Sequence, residues 1–71
     1  MKTITGPEAK AKRIKLNLNQ SEFWTPLGIS QSGASRYESG RDIPEPVQML
    51  YLIRYGTAKQ SEAMVDRLRN P

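Results

Sequence analysis

The side chains that could do chemistry in this sequence are hydrogen-bonding groups rather than catalytic ones. One short stretch carries an amide, several hydroxyls and two guanidinium groups: Gln31, Ser32, Ser35, Arg36, Ser39 and Arg41. These groups donate hydrogen bonds, and the arginines carry a fixed positive charge. The sequence contains no Cys and no His, which removes thiolate nucleophiles, zinc fingers and His-based general bases. Since the carboxylates also show no paired arrangement, we expect no enzyme activity, no cofactor, no metal and no small-molecule substrate.

The net positive charge is concentrated in the first part of the chain. The sequence has 11 Lys and Arg against 7 Asp and Glu, a formal net charge of +4. Residues 1–41 hold seven basic and three acidic side chains, whereas residues 42–71 hold four of each, so the whole +4 lies before position 42. A one-sided positive potential favours a polyanion as partner. The alternative is that these charges only keep a small domain soluble.

The length of the chain limits it to one domain. A chain of 71 residues buries only about 60% of its unfolded surface, too little to enclose a large substrate pocket. No apolar run approaches the roughly 20 residues of a membrane span, and the first ten residues lack the apolar core of a signal peptide. We expect a single domain over residues 1–71, with a short flexible N-terminus over residues 1–5, in a soluble cytoplasmic protein with no membrane partner.

Capping patterns and helix stops predict five helices and no strands. Three segments begin with a capping residue followed three positions later by Glu or Gln, namely Thr5 with Glu8, Asn19 with Glu22, and Thr57 with Gln60. The residues suited to end a helix are Asn17, Gly28, Gly40 and Gly56. The predicted helices span about 6–16, 20–27, 31–39, 46–55 and 58–69. The predicted fold class is therefore all-α, in a compact five-helix arrangement.

Apolar spacing predicts which side of each helix faces the core. On the first helix the inward residues are predicted to be Ala11, Ile14 and Leu18. The fourth helix has more apolar residues than one face holds, and those expected to close the core are Val47, Leu50 and Ile53. The remainder are left for the fifth helix or for a second subunit. The alternative is that the fifth helix covers all of them through Met64, Val65 and Leu68.

The second and third predicted helices, joined by Gly28, Ile29 and Ser30, have the layout of a helix-turn-helix that reads DNA. On the third helix the inward residues are predicted to be Ala34, Tyr37 and Glu38. The opposite face carries small hydroxyls, one amide and one guanidinium. Such a face is thin enough to enter a major groove about 12 Å wide and to hydrogen-bond base edges. The alternative is an ordinary solvated helix face.

Residues 10–56 resemble the lambda-repressor and Cro type helix-turn-helix proteins, also called the XRE family. The resemblance is carried by the strings KRIKLNLNQSEF, LGISQ and SRYESGR, followed by a proline. It implies a lambda-repressor-like DNA-binding domain whose helix-turn-helix covers residues 20–39. It also implies a DNA-associated regulator of transcription of bacterial or phage type, repressor-like, with double-stranded DNA as its partner.

The resemblance also assigns roles to single positions. The positions that read bases are Gln31, Ser32, Ser35 and Arg36. The positions that contact the DNA backbone are Asn19, Gln20 and Arg41. Lys10 is a further candidate for a backbone contact, and the alternative for it is a solvated lysine. Arg13 and Glu38 match a family pair that forms an ion pair between helix 1 and helix 3.

The sequence departs from the family pattern in helix 2 and helix 3. Trp24 stands where the family has a small residue, and Ala34 stands where it has a branched apolar one, so we expect a compensated large-for-small exchange. Pro26 is expected to shorten or tilt the helix.

Related proteins dimerise near the start of helix 4. Together with the apolar surplus there, this predicts a homodimer on a two-fold symmetric site. The alternative function is an antitoxin or adaptor module whose main partner is another protein, held by helix 4 or helix 5.

Overall fold

Five helices make up the described part of the protein. The computed structural model describes residues 4–71, and its helices are α1 (Gly6–Lys15), α2 (Gln20–Trp24), α3 (Gln31–Glu38), α4 (Glu45–Tyr55) and α5 (Ala58–Arg69). A short 3-10 turn, Thr25–Leu27, follows α2 directly. Within these residues there is no strand, so the predicted all-α class is confirmed. Because Pro26 lies in the 3-10 turn, α2 is short, as expected.

Side-chain caps determine where four of the helices begin. In each case the side-chain oxygen of the cap residue accepts a hydrogen bond from the backbone N–H three residues later, the caps being Thr5, Asn19, Ser30 and Thr57. Around Asn19 and Thr57 the bond is reciprocal, because Glu22 and Gln60 accept from the N–H of the cap residue. The α4 helix has no such cap and begins at Glu45, one residue before its predicted start.

Three helical segments end in the same hydrogen-bonded turn. Each has one residue in the left-handed region, at φ 59° for Asn17, 76° for Gly28 and 114° for Gly40. The residue after each donates its N–H to the carbonyl five residues earlier, in the pairs Leu18 to Arg13, Ile29 to Trp24 and Arg41 to Arg36, each at 3.2 Å. This is the Schellman arrangement, which satisfies carbonyls that lack helical partners. The predicted stops at these three positions are confirmed.

The centre of the core is aromatic and joins α2 to α4. Phe23 and Trp24 are fully buried. The Phe23 ring stacks on Tyr55 with 4.1 Å between centroids and 5° between planes, and the Tyr55 hydroxyl donates to the Phe23 carbonyl at 2.6 Å. All five helices contribute to the buried apolar set, which is Ala9, Phe23, Trp24, Leu27, Ala34, Ile43, Tyr51, Leu52 and Met64.

The predicted inward face of α1 is wrong in two of its three positions. Ile14 is 60% exposed and Ala11 is also exposed. The helix instead buries Gly6 and Ala9. These small residues allow close packing, since a Cβ added to Gly6 would lie 1.5 Å from the carbonyl oxygen of Tyr37.

The predicted inward face of α4 is wrong in one of its three positions. Val47 and Ile53 are half-buried and pack against the core, but Leu50 is 39% exposed, whereas its neighbours Tyr51 and Leu52 are buried. The aromatic contacts account for this difference, because Tyr51 and Tyr55 both pack on Phe23. On α5, Met64 is buried and Val65 is half-buried, but Leu68 is 56% exposed and does not face the core as predicted.

A buried amide holds the start of the chain against the loop before α4. Gln48 Nε2 donates to the carbonyl of Ile43 at 2.9 Å, and Gln48 Oε1 accepts from the N–H of Ile4 at 3.2 Å. The predicted flexible N-terminus covers residues 1–5, of which residues 1–3 lie outside the described part of the chain. Ile4 is bonded to Gln48 and Thr5 caps α1. Over residues 4–71, no helix has the length and apolar character needed to cross a membrane.

Candidate nucleic-acid interface

One side of α3 is presented to solvent along its whole length. The exposed residues of this outer face are Gln31, Ser32, Ser35, Arg36 and, just past the helix, Ser39. On the opposite side Ala34 is fully buried, Tyr37 is half-buried, and the side chain of Glu38 is only 4% exposed. Polar groups on a helix that is anchored by its other side are free to contact a ligand. This division between an inward and an outward face is the predicted one.

The helix-turn-helix is held together by buried packing between α2 and α3. Trp24 of α2 and Ala34 of α3 are both fully buried. The Trp24 ring lies 5.6 Å from the ring of Tyr37, measured between centroids. A large side chain on α2 therefore accompanies a small one on α3, which preserves close packing in a core that tolerates few voids. The result is a rigid support for the outer face of α3.

The turn at Gly40 brings a second arginine beside α3. Because Arg41 N–H bonds back to the Arg36 carbonyl at 3.2 Å, the chain turns at the end of α3 and Arg41 stays close to the last turn of the helix. Ser35, Arg36, Ser39 and Arg41 then line one shallow surface depression. Two guanidinium groups and their hydroxyl neighbours thus form a positively charged patch suited to phosphate and to base acceptors.

Glu38, on the inner side of α3, collects donors from α1 and α2. Arg13 is bidentate, with Nε to Oε2 at 2.8 Å and Nη2 to Oε1 at 3.0 Å. Trp24 Nε1 donates to Oε2 at 2.8 Å, and Gln20 Nε2 donates to Oε1 at 3.3 Å. Arg13 also donates through Nη1 to the carbonyl of Leu18 at 2.9 Å. A single carboxylate therefore ties the three helices of the site together.

The environment of Glu38 favours its ionised form. Burial alone raises the pKa of this carboxyl, but the hydrogen bonds from Arg13, Trp24 and Gln20, together with the charge of Arg13, hold that pKa below its usual value. At neutral pH the group is a carboxylate, so its bonds are charge-assisted. Among the described residues, no group of three or more Asp or Glu side chains is placed to hold a metal ion.

The structure distributes the other predicted site residues over several elements. Asn19 is exposed at the start of α2, where its Oδ1 accepts from the N–H of Glu22 at 2.8 Å. Gln20 is half-buried and directed at Glu38, while Lys10 lies on the exposed side of α1. Sequence reasoning missed the hydrogen bond from Trp24 to Glu38. The available signal was that a buried indole N–H requires an acceptor.

Comparison with known protein families assigns the chain to one of them. The family model of the RsaL-like helix-turn-helix domain matches residues 10–53. No curated protein and no solved structure matches the chain. The matched residues run from α1 into α4 and include both helices of the motif, so the helix-turn-helix prediction is confirmed, whereas the narrower XRE assignment stays a prediction. Since the match covers more than half of the chain, this protein belongs to the family of RsaL-like helix-turn-helix domains.

Proposed function

We propose that the protein is a sequence-specific transcription regulator that binds double-stranded DNA and acts as a repressor, without a catalytic step. The observation that carries this proposal is the outer face of α3, a set of exposed hydrogen-bonding side chains on a helix anchored from behind by Glu38. Membership of a helix-turn-helix family supports it. We further infer a regulator of the lambda-repressor and Cro type, associated with bacterial or phage DNA in the cytoplasm.

In this proposal the outer face of α3 reads base edges in the major groove. Arg36 reaches furthest and suits the two acceptors of a guanine, while Gln31 suits the donor and acceptor of an adenine. Ser32 and Ser35 are short and let the helix approach the bases closely. All four side chains are exposed.

Contacts to the DNA backbone are assigned to residues at the edges of the motif. Arg41 lines the same depression as Arg36, which supports a contact from Arg41 to a phosphate next to the base that Arg36 reads. Asn19 and Gln20 are assigned to a phosphate near the start of α2. Lys10 is assigned to a further backbone contact from the exposed side of α1.

We propose that the protein acts as a homodimer on a two-fold symmetric site. Apolar surface for a second copy is available on α4 and α5, where Leu50 and Leu68 are exposed. Leu68 and Met49 line a groove that also includes Glu45 and Arg67, an ion pair at 2.6 Å. A symmetric dimer would present two copies of α3 to successive major grooves, about 34–36 Å apart.

The same groove favours one alternative function. An exposed apolar strip between charged residues is also what a different protein would use, as expected of an antitoxin or adaptor module. Under this alternative the chain co-purifies with a tight protein partner and shows no preference among DNA sequences.

Selection from a random pool of DNA at near-physiological salt tests the proposed function. We expect enrichment of an inverted repeat with half-site centres about 10 base pairs apart. Arg36→Ala should weaken binding to the selected site by about 1–3 kcal/mol and relax the preference at one base pair. The matched control is Arg69→Ala, which removes the same charge from an exposed position near the end of α5 and should leave the preference intact. A pool without enrichment would contradict the function, and an unchanged preference in Arg36→Ala would contradict the assigned reading face.

A further inference from the structure

The side-chain amide of Gln20 has two possible orientations, and only one suits a DNA phosphate. The nitrogen Nε2 carries two hydrogens and donates, whereas Oε1 accepts only. Phosphate oxygens also accept only. An amide that turned Oε1 towards a phosphate would therefore oppose two acceptors and weaken binding.

Glu38 selects between these orientations. Gln20 Nε2 lies 3.3 Å from Glu38 Oε1, and an ionised carboxylate is an acceptor without hydrogens to donate. The reversed amide would place its own oxygen against that carboxylate. Gln20 is therefore held with Nε2 towards Glu38, and this bond uses one of the two Nε2 hydrogens.

Glu38 is itself held in place, so it can act as a fixed reference. Arg13 binds both carboxylate oxygens at 2.8 and 3.0 Å, and Trp24 binds Oε2 at 2.8 Å. The Glu38 side chain is only 4% exposed and that of Arg13 only 15%. Rotation of the carboxylate would break several charge-assisted bonds at once.

We propose that Glu38 is a positioning residue for DNA binding, which holds the amide of Gln20 so that the second Nε2 hydrogen is directed to a phosphate. The inference rests on the proposed function and extends it. Glu38 belongs to α3 and Gln20 belongs to α2. The bond between them therefore fixes the position of the phosphate contact made from α2 relative to α3, the helix that reads the bases. Protein–DNA recognition depends on such register, because backbone contacts orient the reading element.

A double-mutant cycle tests the coupling between Gln20 and Glu38. Glu38→Gln keeps the shape of the side chain, but its amide can offer either a donor or an acceptor to Gln20, so the orientation is no longer fixed. We expect Gln20→Ala and Glu38→Gln each to weaken binding to the selected DNA about fivefold. We expect the double variant to be about as weak as one single variant. If Glu38 acts only through the stability of the fold, the losses multiply to about 25-fold.

Gln31 provides the matched control for this cycle. It is also a glutamine of the motif, but it lies on the exposed outer face of α3, away from the inner side that carries Glu38. The effects of Gln31→Ala and Glu38→Gln should multiply. All affinities are measured where circular dichroism shows each variant to be folded. Coupling of equal size in both cycles would overturn the inference.

A measurement on the unaltered chain covers the case in which Glu38→Gln fails to fold. Nuclear magnetic resonance resolves the two hydrogens of the Gln20 amide. On addition of the selected DNA, the hydrogen not bonded to Glu38 should shift and become protected from exchange with water. If neither hydrogen shows a shifted resonance or slower exchange with water while the DNA is bound, the inference is overturned. If the unaltered chain binds no DNA sequence preferentially, the proposed function fails as well, and the two failures are thereby distinguished.

Discussion

At the scale of single residues, the arrangement around Glu38 determines how α3 is held. A buried carboxylate is costly unless donors surround it, and here Arg13, Trp24 and Gln20 supply them. The donors come from α1 and α2, so the carboxylate connects both to α3. Loss of this charge should therefore affect the stability of the whole motif.

The pKa of Glu38 predicts a specific dependence of stability on pH. Burial raises the pKa of Glu38, but the hydrogen bonds from Arg13, Trp24 and Gln20 hold it below the value of an unperturbed Glu side chain. The ionised form therefore stabilises the fold at neutral pH, and this contribution is lost as the pH falls through the folded-state pKa. The difference in unfolding free energy between the wild-type chain and Glu38→Gln should be largest near pH 7 and shrink towards pH 3.

Urea unfolding between pH 7 and pH 3 measures this difference. The control is Glu62→Gln, which removes the same charge from an exposed position on α5 and should change stability by less than about 0.5 kcal/mol. If the difference in unfolding free energy between the wild-type chain and Glu38→Gln stays constant from pH 7 to pH 3, the ionised form of Glu38 does not stabilise the fold.

Sequence reasoning could predict some of these contacts but not all. The resemblance paired Arg13 with Glu38, and the two side chains do meet at 2.8 Å. The bonds from Trp24 and Gln20 to the same carboxylate depend on how α2 packs on α3, which no local pattern specifies. The burial of Gln48 is similar, because its partners Ile4 and Ile43 come from the segment before α1 and the loop before α4.

At the scale of helices, the boundaries were predictable, whereas the inward face was predicted correctly for α3 but not for α1. Caps and left-handed stops depend on hydrogen bonds within four or five residues. The roles of Asn19, Gly28 and Thr57 at helix ends can therefore be predicted from the sequence alone. The direction in which α1 faces depends on what packs against it. Gly6 and Ala9 lie inside because their small size lets the backbones approach, and apolar spacing favours larger residues such as Ile14.

Two glycines in helices should respond differently to replacement by Ala, because only Gly6 lies at the close approach of α1 to α3. Gly6→Ala should destabilise the fold by about 2 kcal/mol or more, since the new methyl would meet the Tyr37 carbonyl oxygen at 1.5 Å and backbone must move. Gly33→Ala is the control, because its methyl would meet only side-chain atoms, Ile29 Cγ2 at 3.1 Å and Ser30 Oγ at 3.5 Å. There the gain in helix propensity, about 1 kcal/mol, offsets the crowding.

Thermal or urea unfolding of the two variants measures these effects. We expect Gly33→Ala to stay within about 1 kcal/mol of the wild-type chain. Equal stabilities for Gly6→Ala and Gly33→Ala would show that α1 does not pack against the end of α3 as described.

At the scale of the whole molecule, charge asymmetry should control affinity for DNA. The net charge of +4 comes from the part of the chain that contains the motif. Binding of phosphates by cations releases counterions, so the logarithm of the association constant should fall linearly with the logarithm of salt concentration.

The slope of this salt dependence separates charged from neutral backbone contacts. Arg41→Ala should reduce the slope by about one, because Arg41 is assigned to a phosphate. Gln20→Ala should weaken binding without changing the slope, since an amide displaces no counterion. Lys59→Ala, on the exposed surface of α5, is the control. If it altered the slope as much as Arg41→Ala does, the positive charge would act without a defined docking face.

The separation between the two sides of α3 has a consequence for evolution. Over residues 4–71, the fold uses no side-chain hydrogen bond from Gln31, Ser32, Ser35 or Arg36, and all four are exposed. Exchanges at these positions should therefore cost little stability, because surface substitutions away from packing and capping features usually change it by less than about 0.5 kcal/mol. New target sequences could be acquired one position at a time while the scaffold stays intact, so paralogues could diverge in the genes they control without passing through unfolded intermediates.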